Sequence, residues 1–189
     1  MRIIAGAFKG RRLATPRGSV TRPTADQVRI ALMDTLMPWL GGARFLDLYA
    51  GAGGVGLEAL SRGAARATFV ESDARAVAAL RQNVTTLGVG DAARVERGDV
   101  VRGLTRLATA GGVFDLVFLD PPYESDETAA ALEALGEGGL LAAGAIVVAQ
   151  HRTKRPPAGV IGRLVAFRTR RFGETTLTFF RAGAYDERS

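Results

Sequence analysis

Phe45-Leu46-Asp47-Leu48-Tyr49-Ala50-Gly51-Ala52-Gly53-Gly54-Val55-Gly56 is the stretch that decides the fold. Phe45 to Tyr49 reads as a strand running straight into a glycine-rich turn. Gly51, Gly53 and Gly56 match the spacing G-x-G-x-x-G, and a helix follows through Glu58, Leu60 and Arg62. A second strand, Ala67 to Glu71, ends in an acid twenty residues past Gly51. Strand, glycine turn, helix, strand and acid form a nucleotide-binding pattern. Glycines let the backbone approach a ligand, and the acid receives ribose hydroxyls.

Working outward, strands and helices keep alternating. Val77, Leu80, Val84 and Leu87 mark a helix closed by Gly88. Ala93 to Glu96 is a third strand, ending near Asp99, and Phe114 to Asp120 is a fourth, broken by Pro121-Pro122. Ser125 can cap a helix carrying Leu132 and Leu135, which Gly136 stops. Ala145 to Ala149 is a fifth strand. Leu164 to Phe172 and Thr175 to Phe180, separated by Gly173, read as an antiparallel hairpin. Repeated βα units predict an α/β, doubly wound, Rossmann-like sheet, mostly parallel, with that hairpin at its C-terminal end.

Upstream, Ile3 to Gly6 and Gly10 to Leu13 predict a short N-terminal β-hairpin. Pro16 to Pro23 is a loop. Thr24, with Gln27 three residues on, looks like a capping box. Val28, Leu32 and Leu36 then form one apolar helical stripe, and Pro38 is expected to end the helix. The expected organisation is a basic extension over 1–23 and one domain over 24–189.

Composition narrows the function. A chain of 189 residues suits one domain with a small appendage. Apolar residues make up 47% and charged residues 23%, which provides a core and argues against disorder. No apolar run reaches the ~18 residues of a membrane span, and the run after Met1 is too short for a secretory signal. Cysteine is absent, which excludes disulfides, thiolate metal sites and thiol nucleophiles. His151 is the only histidine, so no His-rich metal site is expected and a Ser-His triad would need it.

Charge is unevenly spread. Residues 1–29 hold seven bases and one acid, residues 30–149 nine and fifteen, and residues 150–171 seven and none. An acidic middle between two basic segments is the footprint of a protein that meets a polyanion. The first 29 residues contribute little apolar material to the alternating pattern and read as a docking surface. Arg11, Arg12, Arg22 and Arg29 are its expected phosphate contacts, with Thr24 beside them.

Three acids sit at successive strand ends. Asp47, four residues before Gly51, repels a pyrophosphate and welcomes a cationic amino group such as that of S-adenosylmethionine. Glu71 suits ribose, and Asp99 the adenine amine. The candidate cofactor set is Asp47, Tyr49, Gly51, Gly53, Glu71, Ser72, Asp99 and Val100. Asp120-Pro121-Pro122-Tyr123 ends the fourth strand beside them and is the candidate catalytic set. An exocyclic base amine is a poor nucleophile because its lone pair is delocalised. The Asp120 carboxylate and the Pro121 carbonyl can accept its two hydrogens and localise that pair. Pro122 stiffens the turn, and Tyr123 can stack on a base that has left its helix.

These segments resemble class I S-adenosylmethionine-dependent methyltransferases. More closely, they resemble the bacterial family that methylates a guanine amine in 16S ribosomal RNA. The likeness is carried by Met1 to Gly6 with Gly10 to Leu13, by Arg22-Pro23-Thr24 with Val28-Arg29, by Leu46 to Ala64, by Asp120 to Tyr123, and by Phe172 to Thr176. The chain departs from the family pattern at Ile30 and at Gln150-His151, where the family tends to carry acids. The resemblance implies S-adenosylmethionine as cofactor and a cytoplasmic enzyme. Its implied partner is ribosomal RNA, free or within a partly assembled small subunit. A DNA amino-methyltransferase acting on adenine or cytosine shares the Asp120–Tyr123 motif and stays open. So does a non-catalytic RNA-binding assembly factor.

Overall fold

The strands place themselves by alternation. In β1 (Arg44–Leu48), Phe45 packs on one face of the sheet while Leu46 and Leu48 pack on the other. β4 (Phe114–Leu119) behaves the same way, with Leu116 and Phe118 opposed to Val117 and Leu119. Both faces are buried, as a parallel sheet requires. The structure, a computed structural model, describes residues 1–16, 23–122 and 126–183, with Pro23 and Thr24 described in backbone only.

The remaining strands are β2 (Arg66–Glu71), β3 (Ala93–Arg97), β5 (Leu141–Arg152), β6 (Val160–Ile161), β7 (Leu164–Phe172) and β8 (Thr175–Ala182). They lie in the order β3-β2-β1-β4-β5-β8-β7-β6. The first five are parallel, and β8, β7 and β6 run antiparallel beyond β5. The expected doubly wound sheet with its C-terminal hairpin is therefore present. Strand order reverses between β1 and β4, and ligands of open α/β sheets bind outside the carboxyl ends at that point.

One face of the sheet is covered by α1 (Pro23–Leu40), α2 (Gly54–Ser61) and α3 (Ala74–Leu87), through Leu32, Leu36, Leu57, Leu80 and Val84. The other is covered by α4 (Val100–Thr109) and α5 (Glu127–Glu137), through Leu104, Leu107, Leu132 and Leu135. Among the described residues no helix is long and apolar enough to cross a membrane.

Several local expectations need correction. The sequence reading assigns no element between Asp99 and Phe114, yet α4 occupies that stretch. Val100, Leu104 and Leu107 are its buried stripe, interrupted by Gly103. That glycine weakens the helical signal, but a Cβ there would stand 2.9 Å from Val70 Cγ1, so close packing on β2 demands it. Pro38 does not end α1. It sits exposed in the last turn, where the loss of one donor is tolerated, and Gly41-Gly42, with Gly42 at φ +74°, stops the helix. α1 begins at Pro23, so Thr24 lies within its first turn and not ahead of it.

The N-terminal segment is also more than a basic arm. Its hairpin is held by Ile3 N–H to Arg11 O (3.0 Å), Gly10 N–H to Ile3 O (2.9 Å) and Leu13 N–H to Met1 O (3.0 Å). Among its described residues only the bridge between Arg2 and Arg12 qualifies as β pairing. Contrary to the expectation of little apolar material, Ile3 and Leu13 are buried in the main core, with Met1 and Phe8 packed against it. Buried Glu58 of α2 accepts from Ile4 N–H (2.8 Å) and Ala5 N–H (2.9 Å). Ser61 Oγ accepts from Phe8 N–H (2.9 Å), and Ala7 N–H donates to Ser61 O (2.7 Å). Asn83 of α3 pairs with both backbone groups of Ala14 and donates to Ala52 O of the glycine loop (2.9 Å). The hairpin thus rests on α2 and α3, beside the glycine turn.

Candidate active site

The carboxyl ends of β1, β2 and β4 converge on two joined compartments. Tyr49 and Asp120 belong to both. The first, about 260 Å³, is lined by Arg29, Asp47, Gly51, Gly54, Asp120 and Gln150, among others. The second, about 430 Å³, is lined by Glu71, Ser72, Asp99, Val100, Pro121 and Glu127 with the shared pair.

Asp47 faces the α2 side because β1 alternates, and it is almost wholly buried. Its Oδ2 accepts from Gly56 N–H at 2.8 Å. Burial pushes its pKa well up, the Gly56 bond opposes this, and nearby Asp120 and Glu71 add to the rise. Gly56 must lack a side chain here, since a Cβ would stand 2.3 Å from the Phe69 ring and 3.1 Å from Asp47 Oδ2. Glu71 Oε2 accepts from Gly51 N–H (2.7 Å) and Oε1 from Asp73 N–H (2.8 Å). The acid at the end of β2 thereby sets the glycine loop directly. Asp99 caps α4, with Oδ1 accepting from Arg102 N–H at 2.9 Å.

Tyr49 has φ +60°, alone among described residues that are not glycine. A left-handed tyrosine is strained and marks a backbone held by its surroundings. Its hydroxyl hydrogen-bonds Glu127 at the start of α5, and burial with that carboxylate raises its pKa. Asp120 follows β4 immediately, and burial lifts its pKa to about 7. Pro121 is buried and Pro122 exposed. The motif residue Tyr123 lies outside the described residues, and so does the expected cap Ser125.

All eight candidate cofactor residues fall at the glycine turn or the adjoining strand ends, and seven of them, all but Gly53, line the two compartments. The expected nucleic-acid contacts divide. Arg11 and Arg12 are exposed on the hairpin, with Arg11 Nη2 donating to Thr86 O (3.0 Å). Arg22 and the Thr24 side chain lie outside the described residues. Arg29 requires correction. It is 6% exposed and belongs to the buried stripe of α1, so it is not offered to a phosphate on the surface. The register explains the error: Arg29 stands three and seven residues before Leu32 and Leu36, on their face.

His151 is buried, its Nε2 paired with Thr178 Oγ1 and its Nδ1 with Arg152 O, both at 2.8 Å. Burial lowers its pKa. It braces β5 against β8. Among the described residues no cluster of His, Cys, Asp or Glu is arranged to hold a metal. Sequence reasoning missed Glu127, Arg29 as a cleft residue, and the clamp formed by Glu58, Ser61 and Asn83. Only the Leu-Glu-Ala-Leu-Ser-Arg run hinted at the clamp, through two polar residues on a helix otherwise wholly apolar inside.

A family described as "Conserved hypothetical protein 95" matches residues 1–181. The chain belongs to this family. Its relatives include the Escherichia coli "Ribosomal RNA small subunit methyltransferase D", 36% identical over 154 residues, covering 82% of this chain and 76% of that protein. A Bacillus subtilis protein, provisionally named rRNA methyltransferase YlbH, is 36% identical over 181 residues, covering 96% and 98%. Among solved structures, an Escherichia coli chain provisionally described as methyltransferase yhhF superposes with a TM-score of 0.88 at 33% identity, covering 98% and 99%. The fold is also shared with a Salinibacter ruber RNA methyltransferase solved with S-adenosylhomocysteine, at a TM-score of 0.61 and 20% identity over 90% and 98% of the chains. The sequence-level resemblance to this ribosomal RNA methyltransferase family is thus borne out.

Proposed function

We propose that this chain transfers a methyl group from S-adenosylmethionine to the exocyclic amine of a guanine in small-subunit ribosomal RNA. The observation that carries this reading is a single cleft at the β1/β4 reversal. Carboxylates from three neighbouring strand ends enter it, and Asp120 lines both of its compartments, with Pro121 and Pro122 lining the larger one. The curated relatives named as ribosomal RNA methyltransferases support it.

The residues present fit the cofactor. Glu71, Ser72, Asp99 and Val100 surround the compartment suited to its adenosine, and Asp47 stands in the other as a partner for a cationic amine. Gly51 lines the cleft where a Cβ would meet no atom within 4 Å, so a side chain there would occupy ligand space. When bound, the cofactor supplies an electrophilic methyl group on a sulfonium. Asp120 accepts one hydrogen of the target amine and the Pro121 carbonyl the other, which localises the nitrogen lone pair. No strong general base is needed, because the attacking amine becomes acidic as it is methylated. The residues act by positioning and electrostatics. Tyr123 stacks on the displaced base. Residues 1–23 serve as a basic extension toward RNA, and 24–189 as the catalytic domain.

Tritium transfer from labelled S-adenosylmethionine to small-subunit particles, naked ribosomal RNA and duplex DNA tests this reading. Label on a guanine amine of the RNA or particle is expected. Label on DNA alone, or on nothing, overturns it.

A further inference from the structure

β1, β2 and β4 each bring a carboxylate to the cleft, whereas β5 brings a neutral amide, Gln150. Its place is set by register. β4 and β5 run parallel with Leu119 beside Ala149, so the next pair along is Asp120 and Gln150. Adjacent strands lie about 4.8 Å apart. Alternation puts both side chains on one face. Phe118, two residues before Asp120, packs in the core on the α1 side. So do Val148, two before Gln150, and Leu177, which pairs with Gln150 from β8. Asp120 and Gln150 both line the smaller compartment.

The platform under Gln150 is firm. β5 stays paired with β8 as far as Arg152. His151, the next residue, turns to the opposite face and is fixed there by Thr178 Oγ1 and Arg152 O, both at 2.8 Å. Beyond Gln150 the surface opens into a further compartment of about 250 Å³, which Gln150 lines together with Pro121, Arg152, Arg155 and Pro157. A nucleotide seated at Gln150 thus has room for its neighbour in the strand, with cations for the connecting phosphate.

The Watson–Crick edge of guanine carries the N2 amine, N1–H and O6 in a row. With the amine held by Asp120 and the Pro121 carbonyl, the rest of that edge runs toward β1 or toward β5. The β1 side holds Asp47 and the cofactor, and a carboxylate there repels O6. The β5 side holds Gln150. An amide presents one acceptor and one donor group side by side, which matches N1–H and O6 together.

We infer that Gln150 selects the target base: its amide carbonyl accepts from guanine N1–H, and its amide N–H donates to guanine O6. The inference rests on the guanine-amine reading above and names the residue that makes the site choose guanine. Adenine in the same place offers N1 as an acceptor and then a C–H, so one bond forms. Cytosine offers two acceptors in succession, and the amide can satisfy one of them. Guanine alone meets both halves of the side chain.

The test compares kcat/KM on small-subunit RNA carrying guanine or 2-aminopurine at the nucleotide that the tritium experiment labels. 2-Aminopurine keeps the amine and lacks both N1–H and O6. Comparing the guanine preference of a variant with that of wild type cancels the two bases' own difference in reactivity. Gln150→Leu and Gln150→Met should each lower that preference by about 10–100-fold, the discrimination of one bidentate amide–base pair. They do so by slowing guanine and leaving 2-aminopurine near its wild-type rate, with S-adenosylmethionine affinity unchanged by calorimetry. Both bases slowed by one factor, or neither slowed, overturns the proposal. Adenine at the same nucleotide needs no variant to fold: wild type methylating it as fast as guanine also overturns selection by Gln150. Tritium on no guanine overturns the guanine reading itself, and this inference with it.

Discussion

Replacing Asp120 by Asn should stabilise the protein at neutral and alkaline pH while removing its activity. Asp120 has its pKa raised by burial from 3.8 to about 7. In the unfolded chain the carboxyl ionises near pH 4; in the folded chain it holds its proton until about pH 7. The stability carried by the neutral form is fully present below pH 4. It falls as pH rises between the two values and is gone above the upper one. Three pH units at about 1.36 kcal/mol each make a span of about 4 kcal/mol. This is an upper limit, because the residue is not wholly sealed from water. Asn has the same shape and no charge to desolvate. Its Tm advantage over wild type should therefore be absent near pH 4 and grow toward pH 8, at about 2–4 °C per kcal/mol for a chain of this size. Relief of repulsion on Asp47 acts in the same direction. Urea unfolding across that pH range measures the advantage directly. Methyl transfer by the variant should fall by about 10²–10³, since one preorganised acceptor is lost. Wild-type kcat/KM should rise with pH through about 7 as the accepting carboxylate forms. An Asn variant whose stability parallels wild type at every pH refutes the burial argument. One that retains more than a tenth of wild-type turnover refutes the acceptor role.

Glu58→Ala removes the acceptor of Ile4 N–H, Ala5 N–H and Arg62 Nε inside the core, and should cost about 3–5 kcal/mol in urea unfolding. A loss below about 1 kcal/mol would show that the hairpin does not depend on this clamp. The double change Arg11→Ala and Arg12→Ala should flatten the salt dependence of RNA binding by up to about 0.7–0.9 log units per lost phosphate contact. Its effect on Tm should be slight, since both side chains are exposed and the Arg11 bond to Thr86 O lies at the surface. An unchanged slope moves the RNA surface to the basic segment from Arg152 to Arg171.

The glycine turn shows how much a local pattern carries. Strand, turn and helix were legible because each depends on neighbours a few residues away: alternation for β1, positive φ for Gly51 and Gly53, a 3.6-residue period for α3. The acids at strand ends were legible for the same reason, since a parallel sheet sends every strand end to one edge. α4 was not, because Gly103 answers to Val70 on a distant strand and breaks the helical signal locally.

Roles that depend on what lies across space were closed to the sequence. By itself it determined the doubly wound sheet, the nucleotide-type cleft and the Asp120-Pro121-Pro122 turn, all consequences of short-range periodicity and backbone restriction. The tertiary structure decided that Arg29 faces the cleft and not solvent, that Glu58, 53 residues from Ala5, anchors the N-terminus, and that Tyr49 meets Glu127. An arginine reads as a surface charge until the packing around it is known. Whether its desolvation is tolerated depends on partners that folding brings together from distant parts of the chain.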